Sequence, residues 1–220
     1  MTSLNAVKYD DIVHMGVTER KVREKAALRQ EILAAARELF AKHGYESVSM
    51  RKIAERIEYS PTTIYLHFRD KGELLNEICT ETFQLLSKKL AKVVASEGDP
   101  VDLLRRGLRV YVDFGLSHPN HYRTTFMTPH QHPPHTVSLD QKINFGTGGQ
   151  AFQYLLDAVG RVMATGPTRQ TDVMATSQAL WMTIHGVTSL LITKELEFPW
   201  SDKNLLIDIA IAGAVKGLLR

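Results

Sequence analysis

Apolar residues recur every three to four positions over most of this chain, the period of helices buried along one face. Ile32, Leu33, Ala36, Leu39 and Phe40 form one such stripe, which Gly44 ends. Met50, Ile53 and Ile57 repeat the spacing behind Ser49, a good N-cap, and leave Arg51, Lys52, Glu55 and Arg56 for an outer face. Ser60 caps the next helix. Pro61 falls in its first turn, where a missing N–H costs nothing, and Ile64 and Phe68 lie four apart, so Thr62, Thr63 and His67 point away from the buried side. Asp70 followed by Glu73 resembles a capping box. It opens a long helix from Lys71 to about Val94 carrying Leu74, Leu75, Ile78, Leu85, Leu86, Leu90 and Val93. At the usual rise such a helix spans over ~30 Å, enough to belong to two parts of a molecule.

The clearest break follows at Ser96 to Pro100. Beyond it the period predicts helices from Pro100 or Val101 to Leu116, through Tyr122 and Phe126 after a His118-Pro119 stop, and over about Gln150 to Ala164, Thr168 to Glu195 and Asp202 to Leu219. Residues 128–149, rich in Pro, His and Gly, read as a long loop. The expected fold is all-α with about nine helices: a three-helix helix-turn-helix domain, then a helical ligand-binding and dimerisation domain. Residues 1–18 show no sustained period and read as a mobile arm, 19–71 as the first domain and 72–220 as the second, linked by the helix that starts at 71.

Composition narrows this picture little. The balance of apolar and charged residues over 220 positions is that of an ordinary globular protein. A lone Cys79 excludes an internal disulfide and a multi-cysteine zinc site, and its place beside Ile78 suits a small core residue. No apolar run is long enough to span a bilayer and the N-terminus lacks the order of a signal peptide, so a cytoplasmic location is expected. Through Lys71 there are 13 Lys plus Arg against 10 Asp plus Glu, and afterwards 14 against 14, so the formal excess of +3 lies in the first third. That is consistent with a basic face on the first domain, without establishing one. Arg20, Lys21, Arg23, Lys25 and Arg29 are either solvated helix turns or a basic extension reaching phosphate or the minor groove.

The stretch VSMRKIAERIEYSPTTIYLHFRDK, from Val48 to Lys71, has the two short helices, tight turn and polar outer positions of a DNA-reading unit. From Arg29 to Leu75 the chain resembles the N-terminal domain of the TetR family of transcriptional regulators. The likeness rests on ILAAARELFAKHGYESVSMRKIAERI, on SPTTIYLHFRDKGELL, and on the Tyr-x-His-Phe-x-x-Lys ending at Lys71. It implies a homodimer that binds palindromic operator DNA, acts as a repressor and is released by a small molecule. It further implies that Arg51, Thr62 and Thr63 meet bases or nearby sugar, and that Ser49, Tyr65, His67 and Lys71 meet phosphate. Lys71 at a helix N-terminus suits an anion. Glu58 and Tyr59 depart from the family's usual Gly and small apolar residue, which predicts either an unfavourable backbone angle at Glu58 or an altered turn.

In the second domain Phe114, Tyr122, Phe126, Met127, Phe152, Leu156, Trp181 and His185 are either core residues or the lining of an aromatic ligand pocket. Trp181, His185 and Gly186 resemble a Trp-x-x-x-His-Gly signature of one TetR subgroup. The last two helices are apolar over more than half their girth, with Ala212, Gly213 and Gly217 permitting close approach, which predicts either a monomer core or a four-helix dimer seam; the resemblance favours the seam. The effector is expected to be apolar or aromatic. His118, His121, His130, His132 and His135 raise the question of a metal, but flanking prolines and the lack of nearby Cys or paired carboxylates favour a loop with incidental histidines. No metal or cofactor is expected. The alternative is a small enzyme using the aromatic site with His185 as base; no nucleophile elbow, phosphate loop or usable carboxylate pair accompanies it.

Overall fold

Nine helices account for nearly all of residues 6–128, 148–166, 168–169 and 172–219, which the computed structural model describes, with side chains from residue 19 onward. They are α1 Ala6–His43, α2 Met50–Arg56, α3 Pro61–Tyr65, α4 Lys71–Val94, α5 Pro100–Ser117, α6 Pro119–Phe126, α7 Gly149–Thr165, α8 Val173–Thr193 and α9 Lys203–Leu218. The expected all-α class is what the chain adopts. Among the described residues β-type pairing is confined to one antiparallel bridge between Thr168 and Leu219.

Caps set most helix ends. The Ser49 hydroxyl accepts from Lys52 N at 3.2 Å and the Ser60 hydroxyl from Thr63 N at 3.2 Å, as their positions before α2 and α3 predict. Asp99 and Asp202 cap α5 and α9 in the same way. Asp172 accepts from Ala175 N at 3.0 Å and so starts α8 at Val173, later than the Thr168 read from the period. Gly44 closes α1 at φ +77°, donating to Phe40 O at 3.0 Å. The start of α1 differs from expectation, because the helix runs back to Ala6 through part of the segment read as an arm. Once nucleated, a helix continues through proline-free residues whether or not its apolar positions keep a period.

The chain divides into two compact units, Met1–Glu77 and Ile78–Arg220, so the division falls inside α4, six residues beyond the boundary expected at 71/72. The first turns of α4 belong to the first unit because Leu74 and Leu75 are buried and Glu77 pairs with Arg29. The first unit buries Ile32, Leu33, Phe40, Ile53, Ile64 and Phe68, the positions picked out by spacing. In the second unit Leu104, Leu108, Val112, Val159, Ile184, Ile211 and Val215 belong to one core cluster drawn from α5, α7, α8 and α9. There α5 approaches its neighbours closely: a Cβ added at Gly115 would lie 2.3 Å from Thr188 Cγ2 and 2.9 Å from Tyr122 Cδ2. No described helix is long and apolar enough to cross a membrane.

Candidate functional site

The turn between α2 and α3 is closed by backbone hydrogen bonds. Glu58 N donates to Glu55 O at 3.3 Å and Tyr59 N to Ala54 O at 3.0 Å, the paired pattern of a Schellman motif. That motif requires a left-handed residue, and Glu58 supplies it at φ 60°, the one non-glycine with positive φ among the described residues. Of the two outcomes the departure at Glu58 left open, the unfavourable angle is present. The turn thus places a side chain where glycine would meet no steric penalty, at a backbone cost that a side chain ordinarily avoids.

Around this turn the candidate DNA contacts fall into two groups. Thr62 and Tyr65 are exposed, Tyr65 at 54%, on α3, and Arg51 is exposed on α2 with its guanidinium 2.9 Å from Glu55. These are available to a partner. Thr63 and Ser49 are committed locally: the Thr63 hydroxyl lies 2.9 Å from that of Ser60, and Ser49 holds the α2 cap. Leu66, 74% exposed where α3 ends, was missed because its apolar character assigns it to the interior by pattern.

Lys71 and His67 occupy more restrained settings than their sequence positions suggest. The Lys71 ammonium donates to Tyr45 O at 2.7 Å and stands 4.0 Å from the centroid of the Tyr45 ring, so it is fixed in place with donors to spare. Asp70 accepts from Glu73 N at 2.8 Å, and Glu73 accepts from Arg69 N at 2.8 Å. The capping-box signal at the α4 start is thus realised, with the return bond reaching one residue further back. It also places two carboxylates beside the amides that would receive a phosphate. His67 is half-buried, its Nδ1 without a hydrogen-bond partner, and burial followed by the charges of Lys25 and Arg29 pushes its pKa down. A neutral imidazole there brings no charge to a phosphate.

Arg29 holds this unit together. Its guanidinium pairs with Glu77 through Nε at 3.1 Å and through Nη2, donates from Nη1 to His67 O at 2.7 Å, and stacks 4.1 Å from the Phe68 ring centroid. The side chain therefore joins α1 to α4 and to the segment leaving α3. Sequence reading grouped it with the exposed charges of helix 1, since a charge pattern does not distinguish a solvated arginine from a forked one. Lys21, Arg23 and Lys25 do remain exposed.

In the second unit the candidate ligand residues form an aromatic cluster with a polar centre. Tyr122 lies 4.8 Å from Phe126 and 5.5 Å from His185, and Trp181 lies 5.7 Å from His185 and 6.2 Å from Phe152, ring centroid to ring centroid. Tyr111, absent from the sequence candidates, is central: its hydroxyl accepts from Trp181 Nε1 at 3.2 Å and lies 3.2 Å from both Tyr122 Oη and His185 Nδ1. It went unnoticed because α5 offers several apolar positions and nothing in spacing singles out the one with a hydroxyl at the centre. Phe114 is fully buried and stacks on His118 instead. Met127 and Leu156 are half-buried. Burial raises Tyr111 to about 12, raises Tyr122 further, and lowers His185, so the group is uncharged at neutral pH. Cys79 is buried, its pKa raised to about 11, which suits a core thiol.

Neighbouring faces of α8 and α9 carry apolar side chains in solvent: Met182 is 69% exposed, Leu190 50%, Leu205 55% and Ile209 60%. On the same two helices a Cβ added at Gly186, Gly213 or Gly217 would meet nothing within 4 Å. Of the clustered histidines, His118 and His121 are engaged with Phe114 O and the Thr82 hydroxyl. His130, His132 and His135, with most of the expected loop, lie outside the described residues. Among the described residues no group of His, Cys, Asp and Glu could hold a metal ion.

A helix-turn-helix head carried in one compact unit and a helical body in another define a class of DNA-binding regulators. The bacterial regulatory protein, tetR family, model matches residues 32–78, and the tetracyclin repressor-like C-terminal domain model matches residues 104–213. The chain belongs to the TetR family. It is 39% identical over 75 residues to the HTH-type transcriptional repressor AcnR of Corynebacterium diphtheriae, a match covering 34% of this chain and 37% of that protein. It is 34% identical over 88 residues to the HTH-type transcriptional regulator AcrR of Shigella flexneri, covering 39% and 41%. The chain thus spans well under half the length of these curated relatives. A tetR-family regulatory protein of Rhodococcus RHA1 shares the fold over 87% of this chain and 96% of its own, with TM-score 0.71 and 19% identity. These relatives are regulators.

Proposed function

We propose that the chain is a ligand-responsive transcriptional regulator, a repressor, that binds palindromic operator DNA as a homodimer and leaves it when a small apolar or aromatic molecule occupies the second unit. The observation that carries the DNA half is the exposed face of α3 beyond a turn that keeps its Schellman geometry at Glu58. On this reading Arg51, Thr62 and Thr63 meet bases or sugar, Leu66 offers an apolar contact of the kind a thymine methyl accepts, and Ser49, Tyr65, His67 and Lys71 lie against the phosphate backbone. Two such heads about one turn of duplex apart, ~34 to 36 Å, call for an inverted repeat.

The exposed apolar faces of α8 and α9, with open space above Gly186, Gly213 and Gly217, support a four-helix seam between two copies. Phe126, Met127, Phe152, Leu156, Trp181 and His185 support an effector site, with Phe114 serving as core behind it. Trp181, His185 and Gly186 have the Trp-x-x-x-His-Gly spacing of the TetR subgroup they resemble. Because α4 carries residues of both units in one uninterrupted helix, it is the element through which an effector would alter the spacing of the heads. Linkage then requires that DNA weaken effector binding as much as effector weakens DNA binding.

The test is selection of bound duplexes from a random pool by the full-length protein, followed by anisotropy titrations at several salt concentrations. An inverted repeat is expected; Lys71→Ala should weaken the complex and flatten its salt dependence, and Tyr65→Ala should weaken it with the slope little changed. Failure to enrich any duplex sinks the reading.

A further inference from the structure

The hydrogens of the Trp181, Tyr111, Tyr122 and His185 group can be placed by counting. An indole N–H only donates, so the 3.2 Å contact from Trp181 Nε1 makes the Tyr111 oxygen an acceptor. Two phenol protons remain, and within 3.2 Å they find each other's oxygens and the nitrogen Nδ1 of His185. Tyr122 Oη lies 2.6 Å from that nitrogen and 3.4 Å from the His185 carbonyl. Were Nδ1 to carry a hydrogen, the Tyr122 proton would be left with the long carbonyl contact while the shortest one ran in reverse. With the shortest contact, 2.6 Å, taken as the Tyr122 O–H to Nδ1 bond, the arrangement runs Trp181 N–H to Tyr111, Tyr111 O–H to Tyr122, Tyr122 O–H to Nδ1.

An imidazole that accepts at Nδ1 and is neutral carries its hydrogen on Nε2. Burial keeps it neutral, since desolvation alone lowers its pKa. Among the described residues Nε2 has no hydrogen-bond partner. Among the described residues the relay thus ends in a donor with no partner of its own. Beside it stand the rings of Phe126 at 5.9 Å and Trp181 at 5.7 Å.

We propose that His185 presents Nε2–H to the effector, and that the effector is an uncharged aromatic or apolar molecule bearing a hydrogen-bond acceptor such as a carbonyl oxygen. The inference rests on the reading of the second unit as an effector-binding body. A carboxylate would lose its hydration against these rings for one neutral donor, and a pure hydrocarbon would leave that donor unpaired.

Full-length protein with nitrogen-15 in its histidine rings tests this by NMR at neutral pH. The sequence has 9 histidines, and His185→Asn identifies the resonance of interest while keeping a side-chain oxygen near the position of Nδ1 for Tyr122 and removing the outer N–H. The expected result is a pyridine-type Nδ1 and a protonated Nε2 at His185. Acetophenone should shift that Nε2–H and bind about tenfold more tightly than ethylbenzene, and the advantage should vanish in His185→Asn. A protonated Nδ1, an imidazolium, or a preference for phenylacetate overturns the proposal. If ethylbenzene binds as well as acetophenone, the proposal falls while the effector-binding reading stands; if none of the three perturbs the His185 resonance, both fall. Should His185→Asn fail to fold, the ring protonation and the acetophenone to ethylbenzene ratio in the unaltered protein decide the matter.

Discussion

The Arg29 guanidinium is forked across the Glu77 carboxylate while its remaining nitrogen donates to the His67 carbonyl at 2.7 Å. Residues 48 positions apart are thereby joined, and the carbonyl they share a partner with lies two residues beyond the end of α3. The position of the candidate reading helix thus depends on a side chain on α1. Lysine cannot reproduce the fork, since it is a point donor without the planar pair.

Replacing Arg29 by Lys should therefore lower the stability of the first unit by about 1 to 2 kcal/mol, a range trimmed because the pair is partly solvated. Urea unfolding followed by far-UV circular dichroism would measure it. A change within error would show that the fork adds nothing beyond charge.

At Glu58 the expected effect has the opposite sign. Glycine adopts the left-handed conformation without a Cβ penalty, so Glu58→Gly should stabilise by about 1 kcal/mol, less the extra freedom glycine gains when unfolded. Thermal unfolding should show a higher Tm. A lower one would mean that the Glu58 side chain compensates for its backbone.

Gly115→Ala tests the close approach in the second unit. With Thr188 Cγ2 at 2.3 Å and Tyr122 Cδ2 at 2.9 Å from the new Cβ, helices must shift, at a cost of about 1 to 3 kcal/mol. Thr188→Ser removes the nearer atom, so the double variant should recover part of the loss. Additive losses in a double-mutant cycle would place the crowding elsewhere.

His67 makes the first unit sensitive to acid. Its folded pKa lies below the ordinary value near 6.5, so the unfolded chain binds the proton more readily. Stability is retained above that value and falls as pH drops below it toward the folded pKa. In His67→Gln the part of this slope due to His67 should disappear from urea midpoints measured between about pH 7 and pH 5. An unchanged slope would assign the acid sensitivity to other groups.

Ile209→Glu addresses the exposed faces of α8 and α9. A carboxylate buried in the proposed seam would be unpaired and desolvated, so the variant should sediment as a monomer at micromolar concentration, where a dimer is expected of the unaltered chain. A dimer in both cases would move the interface away from α9.

Much of this molecule was legible in the order of its residues. Ser49, Ser60 and the Asp70 and Glu73 pair mark helix starts because capping is local chemistry, whereas Glu58 flagged its turn without deciding between a strained angle and an altered turn, a choice made by the backbone bonds of Glu58 and Tyr59. Thr168 proved a poor marker for the start of α8, where Asp172 supplies the cap. What spacing cannot show is which polar side chain finds a distant partner. Arg29, Tyr111 and Leu66 look ordinary in their own helices, and their roles come from atoms supplied by other helices or from exposure that pattern does not record.

The relay that begins at Trp181 has an optical consequence. The chain contains 2 tryptophans, and the other, Trp200, donates its indole N–H to Lys194 O at 3.0 Å in a separate setting. A Trp200→Phe protein would therefore emit from Trp181 alone, from an indole hydrogen-bonded to Tyr111. Any molecule that disturbs the hydroxyls behind it should change the colour and lifetime of that emission, giving the protein its own light-based reporter with no dye attached.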